Sequence, residues 1–136
     1  MEIVSDASVF LSIALDENDR GWIIKKTSGC SIISPEVLPY EIGNALIAMS
    51  RKGRLNDRET LRAFDTSQKI PVKLVPVRIF DAIKIAVQFN IYAYDAYYVQ
   101  CCIENKLALI SLDNRMCDVA KILGIIFSII TLLTTI

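Results

Sequence analysis

The chain opens with Glu2-Ile3-Val4-Ser5-Asp6-Ala7-Ser8-Val9, an apolar run that meets an aspartate and continues as a segment of helical pattern. A short strand over Glu2 to Ser5 followed at once by a helix predicts a βα unit with Asp6 at its junction. Strand and helix candidates then alternate, which favours parallel pairing with right-handed crossovers and helices on both sheet faces. The predicted fold is an α/β three-layer sandwich with a central, mainly parallel sheet of about five strands.

Outward from this unit, short apolar runs and longer amphipathic segments continue to alternate. The patterns predict further strands at residues 30–34, 71–75, 91–94 and 107–112, and further helices at residues 9–15, 22–26, 35–52, 56–68, 96–105 and 114–123. Asn56-x-x-Glu59 resembles a capping box at one helix start, and Gly53 suits the end of the helix before it. A helical repeat of apolar residues also predicts one buried helix face, formed by Ile79, Phe80, Ile83 and Val87.

Three aspartates each follow a strand candidate directly: Asp6, Asp95 and Asp113. The carboxyl ends of parallel strands meet at one sheet edge, where α/β proteins bind ligands, so these side chains are expected to lie together. The simpler interpretation is that each aspartate caps the helix after it, because Asp is among the best N-cap residues. The three positions alone leave both interpretations open.

A fourth acid, Glu41, lies inside a predicted helix and is flanked by apolar residues. A glutamate on such a surface is costly to bury alone, although it can also reach sideways to water. Clustered carboxylates repel one another, and a fold tolerates them best when a cation offsets their charge. Together, Asp6, Glu41, Asp95 and Asp113 predict a divalent-metal site that could hydrolyse a phosphodiester.

Histidine is absent from the sequence. This excludes Ser-His-Asp hydrolases, Cys-His proteases and nucleases with a histidine acid and base, all of which need an imidazole. The four cysteines lack zinc-site spacing and favour reduced thiols in a cytosol. Oxygen ligands remain, and these point to Mg²⁺ or Mn²⁺.

The 136 residues are 53% hydrophobic and carry a formal net charge of zero. This size and composition predict one domain over residues 1–136, with an apolar C-terminal strand or tail at about residues 125–136. Residues 122–136 carry no charge, but this segment is shorter than the ~18–20 residues that a helix needs to span a bilayer. The N-terminus lacks the basic region of a secretory signal. We therefore expect a cytoplasmic protein without a membrane anchor. With no global positive charge, any nucleic-acid contact must be local.

Four segments, taken in order, resemble the PIN-domain ribonucleases, especially the VapC-like toxins of toxin-antitoxin pairs. Val4-Ser5-Asp6-Ala7-Ser8-Val9 resembles the family's first strand and first aspartate, and Tyr40-Glu41-Ile42-Gly43-Asn44-Ala45-Leu46 resembles its Glu-x-x-Asn-x-Leu helix. Asp95-Ala96-Tyr97-Tyr98 resembles the Asp-Ala-x-Tyr step, and Leu109-Ile110-Ser111-Leu112-Asp113 resembles the strand that ends in Thr-x-Asp. The resemblance covers nearly the whole chain.

The resemblance implies a metal-dependent endoribonuclease that holds Mg²⁺ or Mn²⁺ directly or through water. The implied ligands are Asp6, Glu41, Asp95 and Asp113, and the implied polar support is Ser8, Asn44 and Ser111. It further implies an RNA substrate, a cognate antitoxin protein and a homodimer or higher oligomer. Two departures stand out: Ser111 replaces the usual threonine, and Cys101-Cys102 replaces small residues.

Basic and aromatic residues near these motifs are candidates for RNA contact. Arg51, Lys52 and Arg54 form the densest basic cluster and could bind phosphates or simply complement a helix C-terminus. Arg115, two residues after Asp113, is a further phosphate candidate. The tyrosines around Asp95 could stack on bases, although tyrosines more often serve a core or an interface; they are Tyr92, Tyr94, Tyr97 and Tyr98.

Two other functions fit parts of the pattern. A PIN-like module without catalysis could bind a protein or RNA partner, although the presence of all four acids argues against it. A phosphoacceptor signalling domain also uses an acidic Mg²⁺ pocket, but such domains have adjacent acids after the first strand and a lysine after the last. Here Asp6 stands alone and no lysine follows Ile125.

Overall fold

The computed structural model describes residues 1–17 and 20–125. Within them two helices separate each strand from the next, in this order: β1 (Glu2–Ser5), α1 (Ala7–Ala14), α2 (Arg20–Thr27), β2 (Ser31–Pro35), α3 (Leu38–Arg51), α4 (Asp57–Gln68), β3 (Lys73–Val75), α5 (Ile79–Phe89), α6 (Ala93–Asn105), β4 (Ala108–Ile110) and α7 (Asn114–Ile122). Among these residues, no helix is both long enough and apolar enough to cross a membrane.

The four described strands form one sheet in the order β3-β2-β1-β4, and every pairing is parallel. Strand β1 is central, with Ile3 opposite Ile32 of β2 on one side and Ala108 of β4 on the other. All the strands therefore end at one common edge. The strand predicted at about residues 125–136 lies, from residue 126 on, outside the described residues.

Side chains alternate across the sheet and supply a hydrophobic core on each face. Val4 and Leu109 belong to the larger cluster, which also includes buried residues of α3, α5, α6 and α7. Ile3 and Ile110 point into the smaller cluster, which Ile23 of α2 completes. This arrangement confirms the predicted α/β fold with helices on both faces of a parallel sheet.

The predicted boundary between the third and fourth helices is also confirmed. Gly53 follows α3 with a φ of 76°, in the left-handed region that suits glycine after a helix. Asn56 then caps α4: its side chain accepts from the Glu59 N–H at 2.8 Å, and the Glu59 carboxylate accepts from the Asn56 N–H at 3.0 Å. These reciprocal bonds satisfy donors that a helix start leaves free.

The strand predicted at residues 91–94 is wrong. Asn90 ends α5 in a left-handed conformation, Ile91 and Tyr92 connect the helices, and α6 begins at Ala93. A connection this short reverses the chain so that α6 packs on α5, and it leaves no length for a strand. Asp95 consequently lies in the first turn of α6 rather than after a strand.

The buried face predicted for α5 is wrong as well. Four apolar side chains are exposed, by 61%, 76%, 39% and 78%: Ile79, Phe80, Ile83 and Val87. The helix buries Ala82 and Ile85 instead, and small Ala82 is fully buried. Helical periodicity identifies an apolar stripe but not the surface that covers it. We call Phe80, Ile83 and Val87 the α5 stripe.

The orientation of α5 is testable with two β-branched residues of the same helix. Ile85→Ala removes buried methylenes and is expected to lower the free energy of unfolding by about 2–4 kcal/mol, measured by urea denaturation at low protein concentration. Val87→Ala removes exposed methyl groups and is expected to change the free energy of unfolding by less than about 0.5 kcal/mol. The reverse ranking would show that the stripe faces inward.

Candidate active site

Asp6 follows β1 at the common edge and is only 3% exposed. Its Oδ1 accepts hydrogen bonds from the Ser8 hydroxyl at 2.7 Å and the Val9 N–H at 3.4 Å. Its Oδ2 accepts one from the Ser111 hydroxyl at 2.6 Å. Asp6 is therefore both the N-cap of α1 and a member of the acidic site, so the two interpretations of this residue hold together.

The pKa of Asp6 reflects the competition between burial and these bonds. Its net value is raised to about 6: burial raises it most, the hydrogen bonds from Ser111, Ser8 and Val9 lower it, and repulsion from Asp113 raises it slightly. The free-energy cost of removing the charged carboxylate from water is thus larger than the stabilisation that its three hydrogen-bond donors provide.

Two serine hydroxyls hold the ends of β1 and β4 together through Asp6. Each donates to the carboxylate while accepting from the chain beyond β4: Ser8 from the Leu112 N–H at 3.0 Å, and Ser111 from the Asp113 N–H at 2.9 Å. Asp113 in turn caps α7 by accepting from the Met116 N–H at 3.1 Å. The β4 side of the site is therefore fixed by a continuous set of hydrogen bonds.

Glu41 approaches from α3 and is partly buried. Its pKa is raised to about 7. Burial raises it most, repulsion from Asp6 and Asp95 also raises it, the Tyr98 hydroxyl lowers it, and Asp113 adds a smaller repulsion. The Tyr98 hydroxyl is close but does not form a well-aligned hydrogen bond, since Tyr98 Oη and Glu41 Oε2 are both buried without a partner among the described residues.

Asp95 approaches from the first turn of α6 and is also partly buried. Burial and the neighbouring Asp113 raise its pKa, and the Arg115 guanidinium lowers it. That guanidinium also donates to the carbonyl oxygen of Asn90, which holds Arg115 beside the connection between α5 and α6. Arg115 is therefore the basic candidate that the structure brings near the acids.

The remaining predicted residues lie farther out. Asn44 is exposed and makes no side-chain hydrogen bond in the described part of the chain. The basic cluster Arg51, Lys52 and Arg54 is exposed around the C-terminus of α3. Among the described residues, neither set forms a side-chain hydrogen bond or salt bridge with the four acids, and their roles stay predictions.

Two contacts in and beside the site were missed by sequence reasoning. Tyr98 is fully buried against Glu41, and its spacing of three residues from Asp95 on one helix was the available signal. Ser34, also fully buried, donates to the Ser5 carbonyl oxygen and ties the end of β2 to that of β1. Nothing in the sequence pattern singled out Ser34.

The donor chemistry fits a hard divalent cation. All four side chains are carboxylates, and Glu41 Oε2 has no hydrogen-bond partner among the described residues. Burial, and to a smaller extent mutual repulsion, raises the pKa of Asp6, Glu41 and Asp95. Within residues 1–17 and 20–125, however, no three His, Cys, Asp or Glu side chains are arranged to hold an ion by themselves. The carboxylate oxygens themselves fit Mg²⁺, which prefers oxygen ligands and usually keeps several of its waters.

The family comparison agrees with this arrangement. The model of the PIN domain matches residues 3–122, which include all four acids and nearly every described element. This chain belongs to the PIN-domain family. The resemblance inferred from the short motifs is thereby confirmed.

Named relatives within the family extend the comparison. The chain is 28% identical over 120 residues to a VapC ribonuclease of Mycobacterium bovis and to ribonuclease VapC9 of Mycobacterium tuberculosis, covering 88% of this chain and 91% of each relative. PAE2754 of Pyrobaculum aerophilum superposes with a TM-score of 0.64 at 25% identity, covering 99% of this chain and 97% of that one. VapBC2 of Rickettsia felis gives 0.66 at 8% identity, covering 94% and 98%, and shares the PIN fold.

The acidic site is expected to destabilise the metal-free fold as pH rises. The pKa values of Asp6 and Glu41 are higher in the folded chain than in the unfolded one, so their contribution to stability is present below about pH 4 and is lost as pH rises through about 6 to 7. Glu41→Gln is isosteric and uncharged, so in EDTA at about pH 7.5 its melting temperature should exceed that of wild type.

The same melting curves at about pH 5 supply the control. There the difference between wild type and Glu41→Gln should shrink, because the wild-type carboxyl is protonated. A variant that is less stable than wild type at both pH values would show that Glu41 is held by stabilising contacts instead of being strained by its neighbours.

Proposed function

We propose that this PIN domain is a metal-dependent endoribonuclease that hydrolyses RNA phosphodiester bonds, and that it is the toxin of a toxin-antitoxin pair. The observation that carries the proposal is the convergence of four carboxylates at one sheet edge, three of them with raised pKa values. The relatives named VapC ribonuclease support the reaction class.

Asp6, Glu41, Asp95 and Asp113 would hold Mg²⁺ or Mn²⁺, partly through water. Bound there, such an ion supplies an activated water and charge stabilisation for the leaving oxygen. The protein's part is to place its carboxylates: Ser8 and Ser111 orient both oxygens of Asp6, and the Asp113 N-cap fixes the neighbouring acid. Glu41 Oε2 is left free to accept a hydrogen bond from a bound water or to bind the ion.

Negatively charged RNA needs local positive charge to approach this site, because the chain has no net charge. Arg115 lies near Asp95 and is exposed, so it is the first candidate for a contact with the scissile phosphate. Arg51, Lys52 and Arg54 would contact the backbone farther along the strand. A binding-only PIN module is not favoured, since it would retain carboxylates that repel one another without a use for them.

A cognate antitoxin protein is the proposed partner, and the cytoplasm is the proposed location. The structural neighbour from Rickettsia felis is a VapBC2 assembly bound to a DNA fragment from its promoter. An antitoxin that covers the acids would prevent cleavage of cellular RNA until it is removed.

The proposed homodimer would use the α5 stripe. Three exposed apolar side chains in a row are unusual on a surface that faces only water. Asp81 and Lys84 flank the stripe and pair with each other at 3.2 Å, so the helix presents both charges to a second copy. A two-fold axis would place the same patch on both subunits, which suits a surface with both signs of charge.

Cleavage is the direct test of the reaction. Purified protein is incubated with mixed-sequence single-stranded RNA in Mg²⁺, in Mn²⁺ and in EDTA, and products are resolved on a gel. Cleavage is expected with either ion and not with EDTA, and Asp95→Asn should lower the rate by about 100-fold or more because it removes one carboxylate charge.

The matched control is Asp65→Asn, the same substitution at an exposed aspartate of α4. It should cleave at the wild-type rate. Cleavage that persists in EDTA, or an Asp95→Asn variant as active as Asp65→Asn, would contradict the proposed metal site.

Self-association is tested by sedimentation velocity over a range of concentrations. Phe80→Glu places a charge in the α5 stripe and should weaken the dimer by at least about tenfold, since desolvated aromatic anchors dominate such interfaces. Leu61→Glu, at an exposed apolar residue of α4, should leave the dimer intact. A wild-type chain that remains monomeric would rule out the stripe as a dimer contact.

A further inference from the structure

The common edge of the sheet has a second half beside the acids. Strands β2 and β3 end there at Pro35 and Val75, next to a cavity of about 410 Å³. One wall is formed by Pro35, Glu36 and Val37, and the other by Ile79, Tyr94 and Tyr97. The acids occupy the ends of β1 and β4, so the two sites divide one edge between them.

Two aromatic rings form a corner of this cavity. The ring centroids of Tyr94 and Tyr97 are 6.1 Å apart and the rings are nearly perpendicular, at 77°. Tyr94 is 48% exposed, so an open part of the pair is available to a ligand. A flat aromatic ligand can stack on one ring face while its edge meets the other ring.

The helices that build the acidic site also build this cavity. Val37 precedes Glu41 by one helical turn at the start of α3, and Tyr94 directly precedes Asp95 in the first turn of α6. Strands β2 and β1 are adjacent, so the ends of β2 and β3 lie only about 5–10 Å from the end of β1. A phosphate and a base of the same or the neighbouring nucleotide can occupy the two sites at once.

We propose that this cavity binds one unpaired nucleobase of the RNA substrate, beside the phosphate at the acidic site. The inference rests on the proposed function and names its specificity subsite. Single-stranded RNA is read by stacking its bases on aromatic side chains and by hydrogen bonds to their Watson–Crick edges. The Tyr94 and Tyr97 corner supplies the stacking surface, and proline and aliphatic side chains supply the remaining walls.

Glu36 gives the subsite a preference among bases. It is the acidic residue of the lining and is exposed, so its carboxylate can turn toward an inserted base. A carboxylate accepts two hydrogen bonds side by side, and guanine presents two adjacent donors on its Watson–Crick edge. Uracil presents a single donor there and two carbonyl oxygens that would face the carboxylate. The subsite therefore favours guanine over uracil.

The test measures binding, so it does not depend on turnover. Fluorescently labelled hexanucleotides, UUGUUU and UUUUUU, are titrated by anisotropy against protein that carries Asp95→Asn to suppress cleavage. UUGUUU should bind more tightly than UUUUUU. Tyr94→Leu should weaken UUGUUU by about fivefold or more, the lower end of the range for losing one stacked base.

Two further variants separate stacking from edge recognition. Glu36→Gln should abolish the preference for UUGUUU while leaving the affinity for UUUUUU within about twofold, because the stacking surface is unchanged. Leu61→Ala is the control: Leu61 is an exposed apolar residue of α4 and lies outside the cavity lining, so its loss should not affect either affinity. Circular dichroism melts establish that each variant is folded.

The outcomes distinguish this subsite from the function on which it rests. One outcome is that the chain with Asp95 intact cuts RNA in Mg²⁺ while Tyr94→Leu and Glu36→Gln change no affinity. The proposed subsite is then wrong, the proposed nuclease activity is supported, and the cavity would be available to a side chain of a protein partner. Equal losses in Tyr94→Leu and Leu61→Ala also overturn it. If the parent chain neither binds nor cuts any RNA, the proposed function fails and the subsite fails with it.

Discussion

The carboxylate of Asp6 is the point on which the site and the sheet edge both depend. Two serine hydroxyls and a helix N–H converge on it, and the same two hydroxyls accept from the backbone that follows β4. Burying a carboxylate is costly without such donors, and here they do not fully offset the cost, because its pKa is raised to about 6. The fold thus holds the Asp6 carboxylate in a place where its charged form is less favourable than in water.

That constraint extends to the neighbouring acids. Burial and the surrounding acids raise the pKa of Glu41 to about 7. Without a metal, the site therefore lowers the stability of the folded chain at neutral pH. A divalent ion would reverse the sign of this contribution by offsetting the charge. The proposed metal site therefore conflicts with the stability of the metal-free fold, as is common where a site binds a ligand. Although the chain has no net charge, the four acids concentrate negative charge at this site, and the Arg115 guanidinium lies near Asp95.

The sequence predicted the parts of the fold that local chemistry controls. The β1 strand with Asp6 at its end, the Asn56 capping box and the parallel α/β architecture follow from short-range patterns. Residues 91–94 were mistaken for a strand because a short apolar run does not distinguish a strand from a helix connection. The sequence pattern predicts a buried α5 stripe because periodicity does not say what covers a helix face. The contact between Tyr98 and Glu41 joins α6 to α3, and short-range patterns do not reveal contacts between helices that are distant in sequence.

The central claim is that the four carboxylates share one bound ion. A crystal grown near neutral pH and soaked in Mn²⁺ would answer this through anomalous scattering from the metal. A shared ion predicts a peak between Asp6, Glu41, Asp95 and Asp113, with one or two carboxylates bound directly and water completing the shell. A well-ordered site with no peak there, or a peak only at some other acidic surface, would contradict it.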